Sequence, residues 1–453
     1  MHKLFQVNLL GAAVVTAILS GCGDVKTTIV KKESVEVPSE SNNDSDYAIE
    51  SMGRLAILSG QSADLSIFDL DNGNLLESFA LTHSSNTLTA SPSYRYAVIN
   101  SRNQNYVGFI DGGLWREDHV AHQHDYAQTP LMSAYELTGS APTHLVKHDG
   151  QMAIFYDGNT EQGTPASVQV ATDIDITNET SELATVNYDI NMHGVAEPRG
   201  EHLLSSVRRD DAQSTSANKI LPDQVGVYHR HEGTYELEQL LEVTCPNLHG
   251  AAQNHDFVAF GCSDGVLIAH QHGDQYEADK IANIDELGEL RIGALYGHEA
   301  SEAFIGIASS HGGGPAILVS VNPHSNEMEA LEWQPTANPV AYSFSHQGEH
   351  FLVLDEQGFL NVLSLHEHNS HTHWELHSQL DISEQDVTAM PDGMQFSMTV
   401  AQNGLYVYVG DPIAQHVVQI DLQSMTITSD IELSFAPSAI TWLGIAETTQ
   451  KHH

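Results

Sequence analysis

Short runs of alternating apolar and polar residues recur along most of this chain and predict β-strands. Each repeat is a short apolar strand, a turn with Gly, Asn or Asp, a second strand, a third strand of alternating type and a variable fourth. The clearest copies are THLVKHDGQMAIFYDG from Thr143, MHGVAEPRGEHLLSSVRR from Met192, LHGAAQNHDFVAFGCSDG from Leu248 and NPVAYSFSHQGEHFLVLDEQG from Asn338. No long helical period competes with this pattern. The chain is therefore predicted to be all-β.

Repeats of this kind are typical of β-propellers, in which four-stranded blades surround a central channel. Weaker copies begin near Leu88, Arg291 and Gln395, which brings the number of repeats to seven. An eighth can be assembled from RLAILSG and LSIFDLDNGNLLESFAL near the start and APSAITWLGIA near the end. Joining the first and last strands in one blade would close the ring. We predict a β-propeller of eight four-stranded blades, with seven as the alternative.

The N-terminal residues predict export. Residues 1–21 contain a lysine, an apolar run too short to span a bilayer, and Leu-Ser-Gly before Cys22, as in a bacterial lipoprotein signal peptide. The alternative is an ordinary signal peptide followed by a chance cysteine. Residues 22–50 are then the lipidated Cys22 and a flexible acidic tether, residues 51–447 the propeller, and residues 448–453 a disordered tail. We expect a lipoprotein anchored in the periplasm or cell envelope.

Export also places Cys245 and Cys262 in a compartment where disulfides persist. With Cys22 acylated, these two cysteines are expected to pair, on neighbouring strands of one blade. A metal dithiolate is the alternative, but the sequence lacks its motif.

The charge of the chain restricts its partners. It has 60 acidic and 17 basic residues, a formal charge of −43, which argues against nucleic acid or an anionic membrane surface. Cations are the natural partners, although a surface adapted to a salty medium would explain the same charge. The 28 histidines are more specific, because neutral imidazole is a common ligand of zinc.

Three of these histidines occupy the same place in consecutive repeats. His144, His193 and His249 lie at the start of the first predicted strand, which lines the channel of a propeller. Three imidazoles from adjacent blades would bind a tetrahedral zinc ion and leave a fourth position for a carboxylate, water or another protein. Alternatively, each histidine only bonds a neighbouring carbonyl.

A second group lies in the segment WREDHVAHQHDY, between the second repeat and Thr143. It contains His119, His122, His124 and Asp125. A long polar loop is usually functional or mobile. If it folds over the channel mouth it supplies the fourth zinc ligand; otherwise it forms a separate site or a solvated loop.

Other histidine groups are weaker candidates. The segment from His366 to His377 is either a low-affinity metal patch or a solvated surface, and the pair His229 and His231 is expected to lie on the surface. The motifs of nucleotide-binding loops, serine hydrolases, haem attachment and zinc proteases are missing from the sequence. Their absence favours binding over catalysis.

The stretches FIDGGLWREDHVAHQHDY, ELTGSAPTHLVKHDGQMAIFYDG and CPNLHGAAQNHDFVAFGCSDGVLIA resemble the AztD family of periplasmic zinc metallochaperones. The resemblance implies a propeller that binds zinc and passes it to the solute-binding protein of an ABC zinc importer. On the matching motifs, it implies zinc ligands among His119, His122, His124, Asp125, His144, His193 and His249. Residues 23–50 depart from the family, whose soluble members have a histidine-rich segment there, because they contain no histidine.

The sequence therefore favours a monomeric zinc-binding metallochaperone that is not an enzyme. Two alternatives use the same observations. Three histidines and a water also describe a hydrolytic zinc centre, and many propellers are metal-free scaffolds.

Overall fold

The alternating segments form antiparallel strands, as the repeat pattern predicts. The computed structural model describes residues 46–84, 86–120, 122–209, 221–310, 315–333, 337–368 and 371–447. Helices in this part of the chain are short: one α-helix, Asp173–Thr177, and the 3₁₀ turns Arg102–Gln104, Asp285–Leu287 and Val387–Ala389. The protein is therefore all-β.

The strands fall into four-stranded groups along the chain. The first group joins both ends of the chain and contains β1 (Arg54–Ser59), β2 (Asp64–Asp69), β3 (Leu75–Ala80) and β34 (Pro437–Leu443). The next groups contain β4 (Thr87–Ala90), β5 (Tyr96–Ser101), β6 (Tyr106–Asp111) and β9 (Leu131–Thr138); β10 (Pro142–His148), β11 (Gln151–Tyr156), β12 (Ser167–Ala171) and β13 (Ala184–Asn187); β14 (Ala196–Arg199), β15 (His202–Val207), β16 (Gln224–His231) and β17 (Thr234–Leu240). The remaining groups contain β18 (Ala251–Gln253), β19 (Phe257–Gly261), β20 (Gly265–His272) and β21 (Gln275–Ala282); β22 (Arg291–Tyr296), β23 (Phe304–Ser309), β24 (Ile317–Asn322) and β25 (Glu327–Ala330); β26 (Pro339–Phe344), β27 (His350–Asp355), β28 (Phe359–His368) and β29 (His371–Asp381); β30 (Ser397–Val400), β31 (Tyr406–Asp411), β32 (His416–Asp421) and β33 (Thr426–Glu432). A separate hairpin is formed by β7 (Leu114–Asp118) and β8 (Gln123–Ala127).

Two of these groups share one eight-stranded sheet. Their only pairing within the described strands is a parallel bridge between Thr185 of β13 and Thr234 of β17. Divided at that bridge, the described residues contain eight four-stranded units. The predicted β-propeller architecture is confirmed, whereas the number of blades stays a prediction of the repeat pattern.

The two ends of the chain meet in the first unit. The last strand, β34, pairs antiparallel with β1, with Leu443 opposite Arg54 and Ile440 opposite Ile57. The predicted joining of first and last strands is therefore confirmed. This closure matters physically because a closed ring leaves no long sheet edge unpaired.

The second strand of each unit is almost completely buried, and apolar side chains of adjacent units interlock across it. For example, Val98 and Phe109 pack against Met152 and Tyr156 of the following unit, and all four are buried. Burial of such a side chain contributes about 1.5–3 kcal/mol. The core is thus a series of sheet-on-sheet contacts around the ring, and it holds the loops at the strand ends in place.

The ends of the chain are described only in part. The predicted signal peptide, Cys22, the predicted tether up to residue 45 and the predicted tail from residue 448 lie outside the described residues. Residues 46–49 run beside the hairpin, where the backbone N–H of Tyr47 donates to the carbonyl of Gln123 at 3.0 Å. None of the helices in the described residues has the length and apolar character needed to cross a membrane.

Candidate metal centre

The three aligned histidines of the repeats converge in the structure. His144 lies in β10 at a register shift between Pro142 and Leu145, whereas His193 and His249 lie just before β14 and β18. A shift of this kind re-aims a side chain out of the regular ladder. The strands β10, β14 and β18 are packed side by side, so the three imidazoles meet at one end of three consecutive units.

The approach of the ring nitrogens is close. Nε2 of His193 lies 3.3 Å from Nε2 of His144 and 3.1 Å from Nε2 of His249. In a tetrahedral zinc site with Zn–N bonds of 2.0–2.1 Å, neighbouring ligand nitrogens are about 3.3 Å apart. The two observed separations are therefore close to those that one zinc ion would impose.

The outer nitrogens of two rings are already bound. Nδ1 of His193 lies 2.9 Å from Oδ2 of Asp157, and Nδ1 of His249 lies 2.7 Å from the carbonyl oxygen of Gly293. Both partners are acceptors, so each Nδ1 carries the proton and each Nε2 presents its lone pair. Lone pairs directed at one another repel unless a cation lies between them. The donor set therefore fits a zinc ion, with the second-shell hydrogen bonds that metal-bound histidines usually make.

Backbone contacts set the positions of these rings. The N–H of Met192 donates to the carbonyl of Asp157 at 3.0 Å, which joins the segment before His193 to the preceding unit. Gly250 follows His249 with a φ of +76°, and a Cβ there would lie 2.7 Å from the Gly293 oxygen that His249 uses. A side chain at residue 250 would therefore displace the acceptor.

Asp157 also belongs to the site, although the alignment of the repeats does not predict it. Its Oδ2 also accepts from Nη2 of Arg102 at 2.8 Å, and its side chain is 9% exposed. Asp157 directly follows the second strand of its unit, and other units have an aspartate as the last residue of that strand, as Asp355 and Asp411 show. Aspartate is common in turns, so the sequence alone does not mark Asp157 as a site residue. Its contact with His193 does.

We expect Asp157→Asn to raise the zinc Kd by about 10- to 100-fold, because a neutral amide orients His193 less firmly and makes it less basic. Competition with a zinc chelator measures this change. Asp411→Asn, at the end of the second strand of another unit, is the control and should bind zinc like the parent. Equal affinities for the two variants would contradict a role for Asp157.

His144 differs from an exposed histidine in its protonation. Burial, together with the adjacent His193 and His249, lowers the pKa of His144 to about 3. The ring is therefore neutral at pH 7, the form that binds metal.

The same shift predicts a pH dependence of the metal-free protein. Below pH 6.5 the unfolded chain protonates residue 144 and the folded chain does not, so stability falls as the pH falls towards 3. Between pH 6.5 and 5 this amounts to about 1.5 kcal/mol. Urea unfolding with chelator present should show that His144→Asn removes this part of the pH dependence. If the free energy of unfolding depends on pH identically in parent and variant, His144 does not contribute to that dependence.

A wide cavity opens beside the cluster. It has a volume of about 1270 Å³, and His193, His249 and Asp157 form part of its wall. Arg102, Arg208 and Arg291 also line it, which is notable in a chain of charge −43. The carboxylates of Asp157 and Glu289 are part of the same wall, and Arg102 is paired with Asp157, so the cavity presents both charges beside the cluster.

A disulfide lies next to His249. Cys245 and Cys262 are bonded and fully buried, which confirms the predicted pairing. The expected position of both cysteines on neighbouring strands is wrong: Cys245 lies in the loop before β18, and Cys262 directly follows β19. Backbone bonds hold the loop of Cys245 to Pro222 and Asp223. The bridge therefore ties the loop that contains His249 to the end of β19.

The loop histidines form a compact group on the separate hairpin. The rings of His119 and His122 stack at 5.2 Å, and those of His119 and His124 are 6.3 Å apart. Within the described residues, these histidines are not among the groups of three ligands whose donor atoms lie within 4.8 Å of one another. Their role as zinc ligands stays a prediction.

Asp125 has a structural role in this hairpin. Its two oxygens accept from Arg116 at 2.6 and 2.9 Å, and one also accepts from the N–H of Ile49 at 2.9 Å. With an exposed fraction of 1%, this carboxylate orders the hairpin and fastens residues 46–49 to it.

The hairpin and the three-histidine cluster lie at opposite ends of the sheets. Asn100, at the end of β5, donates to the carbonyl of Pro142 beside His144. The hairpin begins after Asp111, which pairs with Tyr96 at the other end of β5. The hairpin therefore does not supply the fourth ligand to the cluster, because the length of a strand separates them; of the predicted roles, a separate site or a solvated loop remains.

The later histidine segment forms the extended hairpin of β28 and β29. His366 and His373 pair across it, and each lies 3.4 Å from a carboxylate oxygen of Glu375. The side chains of His368 and His371 lie outside the described part of the structure. A metal patch at this place stays a hypothesis.

Comparison with known proteins gives a consistent result. No family model matches the chain. The zinc chaperone AztD of Citrobacter koseri is 24% identical over 405 residues, which are 86% of this chain and 86% of that protein.

Two solved structures of the same Citrobacter koseri protein share the fold. One has a TM-score of 0.70 at 22% identity and covers 87% of this chain and 99% of its own. The other, in the apo form, has a TM-score of 0.69 at 23% identity and covers 87% and 98%. The resemblance predicted from the histidine loop and the repeats is thus confirmed: this chain is similar to the zinc chaperone AztD along most of its length.

Proposed function

We propose that this protein is a periplasmic zinc metallochaperone that binds zinc at His144, His193 and His249 and passes it to the solute-binding protein of an ABC zinc importer. The observation that carries the proposal is the convergence of the three Nε2 atoms, at separations close to the edge of a zinc tetrahedron. The similarity to a protein named as a zinc chaperone supports it independently.

Transfer needs a ligand position that a partner can reach. Three protein ligands leave a fourth position for an exchangeable group, and the cavity beside His193 and His249 opens towards it. A carboxylate or imidazole of the partner enters there, binds the ion, and the histidines are released one at a time.

A binding role fits the site better than hydrolysis. A hydrolytic zinc centre needs a general base beside the metal-bound water. The Oδ2 atom of Asp157, the carboxylate oxygen that contacts the cluster, already accepts from His193 and Arg102 and so orients a ligand. Zinc-dependent turnover of an ester or lactone would nevertheless favour the hydrolase, and thermal stability unchanged by zinc would favour a metal-free scaffold.

The location of the protein is part of the proposal. Cys22 as a lipid attachment site and an acidic tether would hold the propeller at a membrane surface of the periplasm, with zinc as its cargo. The partner would then meet it near the membrane, close to the importer.

A transfer assay tests the function. The zinc-loaded protein is mixed with the importer's solute-binding protein, with and without a chelator that intercepts free zinc. Direct transfer should be faster than release of zinc to the chelator alone. His148→Ala, on the same strand β10 as His144 but at its other end, is the control and should transfer normally. Zinc that reaches the partner only at the rate of spontaneous release would contradict the chaperone function.

A further inference from the structure

A second group of metal-ligating side chains lies on the fourth unit. His202 is on β15, His229 and His231 are on β16, and Glu238 is on β17. His202 pairs directly with His229, and His229 pairs with Glu236, two residues before Glu238. His231 shares the face of His229, because residues two apart on a strand project to the same side. Glu238 lies at a register shift of the β16–β17 ladder, and its contacts with His229 and His231 place its side chain on that face too.

The distances within this group are short. The rings of His202 and His229 stack with centroids 4.9 Å apart. One oxygen of Glu238 lies 3.3 Å from Nδ1 of His229 and 3.3 Å from Nε2 of His231. One donor atom from each of His202, His229 and Glu238 falls within a 4.8 Å separation of the others.

His202 provides a second, independent observation. The residue is 4% exposed, and its Nε2 is buried without a hydrogen-bond partner in the described part of the chain. A buried polar nitrogen left unsatisfied costs about 1–3 kcal/mol, so it needs an explanation. A cation bound between His202, His229 and Glu238 would provide one.

We propose that His202, His229 and Glu238, with His231 beside them, form a second metal site for a divalent transition-metal cation such as Zn²⁺. Two imidazoles and one carboxylate are a zinc donor set, and the set also suits Cu²⁺ and Ni²⁺. The side chains of His229 and Glu238 are 29% and 35% exposed, so the cation exchanges with solvent.

This second site is distinct from the three-histidine cluster. His193 precedes β14, whereas His202 pairs with Arg199 at the far end of that strand. Six residues of extended chain between His193 and Arg199 span about 20 Å. One ion therefore cannot bridge the two sites, and each is expected to bind its own.

Metal counting by mass spectrometry after dialysis against buffered Zn²⁺ tests this assignment in the intact protein. The variants are His229→Ala and the isosteric Glu238→Gln, each made in the parent and in a variant with alanine at residues 144, 193 and 249. His416→Ala is the matched control, because Nδ1 of His416 forms a similar pair with Asp430 at 3.0 Å but belongs to none of the convergent three-ligand groups found in the described residues.

Both site variants should bind about one zinc ion fewer than the His416→Ala control in either background. Equal metal content in the His229→Ala, Glu238→Gln and His416→Ala proteins would overturn the second site. So would a protein with alanine at residues 144, 193 and 249 that binds no zinc at all. If the triple replacement leaves the metal content unchanged while His229→Ala lowers it, the second site stands and the proposed function fails. The two hypotheses are therefore separable in one set of proteins.

Discussion

His193→Ala should weaken zinc binding by about a hundred- to a thousandfold. The Nε2 atom of His193 lies within 3.3 Å of the Nε2 atoms of both His144 and His249. Its loss therefore removes the central ligand and leaves zinc with two histidines. Zinc sites with four protein ligands gain about 10–16 kcal/mol, roughly 2.5–4 kcal/mol for each ligand. Competition with chelators of graded affinity, at pH 7.5 and low metal concentration, measures the change.

The control for this experiment is His148→Ala. His148 lies in the same strand as His144, four residues further along, and its Nδ1 is 3.4 Å from Glu299. Its replacement removes an imidazole without touching the cluster, so the zinc Kd should stay within a factor of two or so of the parent value. Similar losses in both variants would mean that histidines bind zinc non-specifically and would refute the assignment of the cluster.

Replacing both Cys245 and Cys262 with serine should lower the stability of the protein by about 3 kcal/mol. The bridge closes a short loop with a sequence separation of 17, for which the entropy of the unfolded chain predicts that magnitude. In a domain of this size the melting temperature should fall by about 4 °C. Zinc affinity should also decrease, because the loop before His249 loses its tie to β19.

A reducing agent provides the control for the disulfide. The parent with its bridge reduced should melt at the temperature of the double-serine variant, which the reductant should leave unaffected. Melting temperatures of parent and variant that agree under oxidising conditions would show that backbone contacts alone, such as that of Cys245 with Asp223, hold the loop.

Much of the architecture could be predicted because propeller repeats are local. Each unit is built from consecutive segments whose apolar residues alternate, so β10 to β12 or β18 to β20 follow directly from the pattern. The joining of β34 to β1 could be predicted because a terminal fragment of a repeat has no other way to complete a four-stranded unit.

Side chains that meet across units could be predicted only where the repeats align them. His144, His193 and His249 were found because equivalent positions of consecutive blades converge. The contacts of Asp157 and of the Gly293 carbonyl with the histidines could not be predicted, because a turn aspartate and a backbone oxygen have no distinctive sequence signal. One interpretation of the sequence places the histidine loop over the channel mouth. The direction of β5 and β6 instead puts the β7–β8 hairpin at the end of the sheet opposite the three-histidine cluster.

The β-propeller, the pairing of Cys245 with Cys262 and the convergence of three histidines could all be predicted from the amino-acid sequence, because they depend on repeat position and compartment. The folded structure was needed to show which nitrogen of each imidazole faces inwards, that Arg116 binds Asp125, and that donor atoms of His202, His229 and Glu238 converge. These last features depend on strand register and on hydrogen bonds between distant residues, where a shift of one residue would turn each side chain to the opposite face.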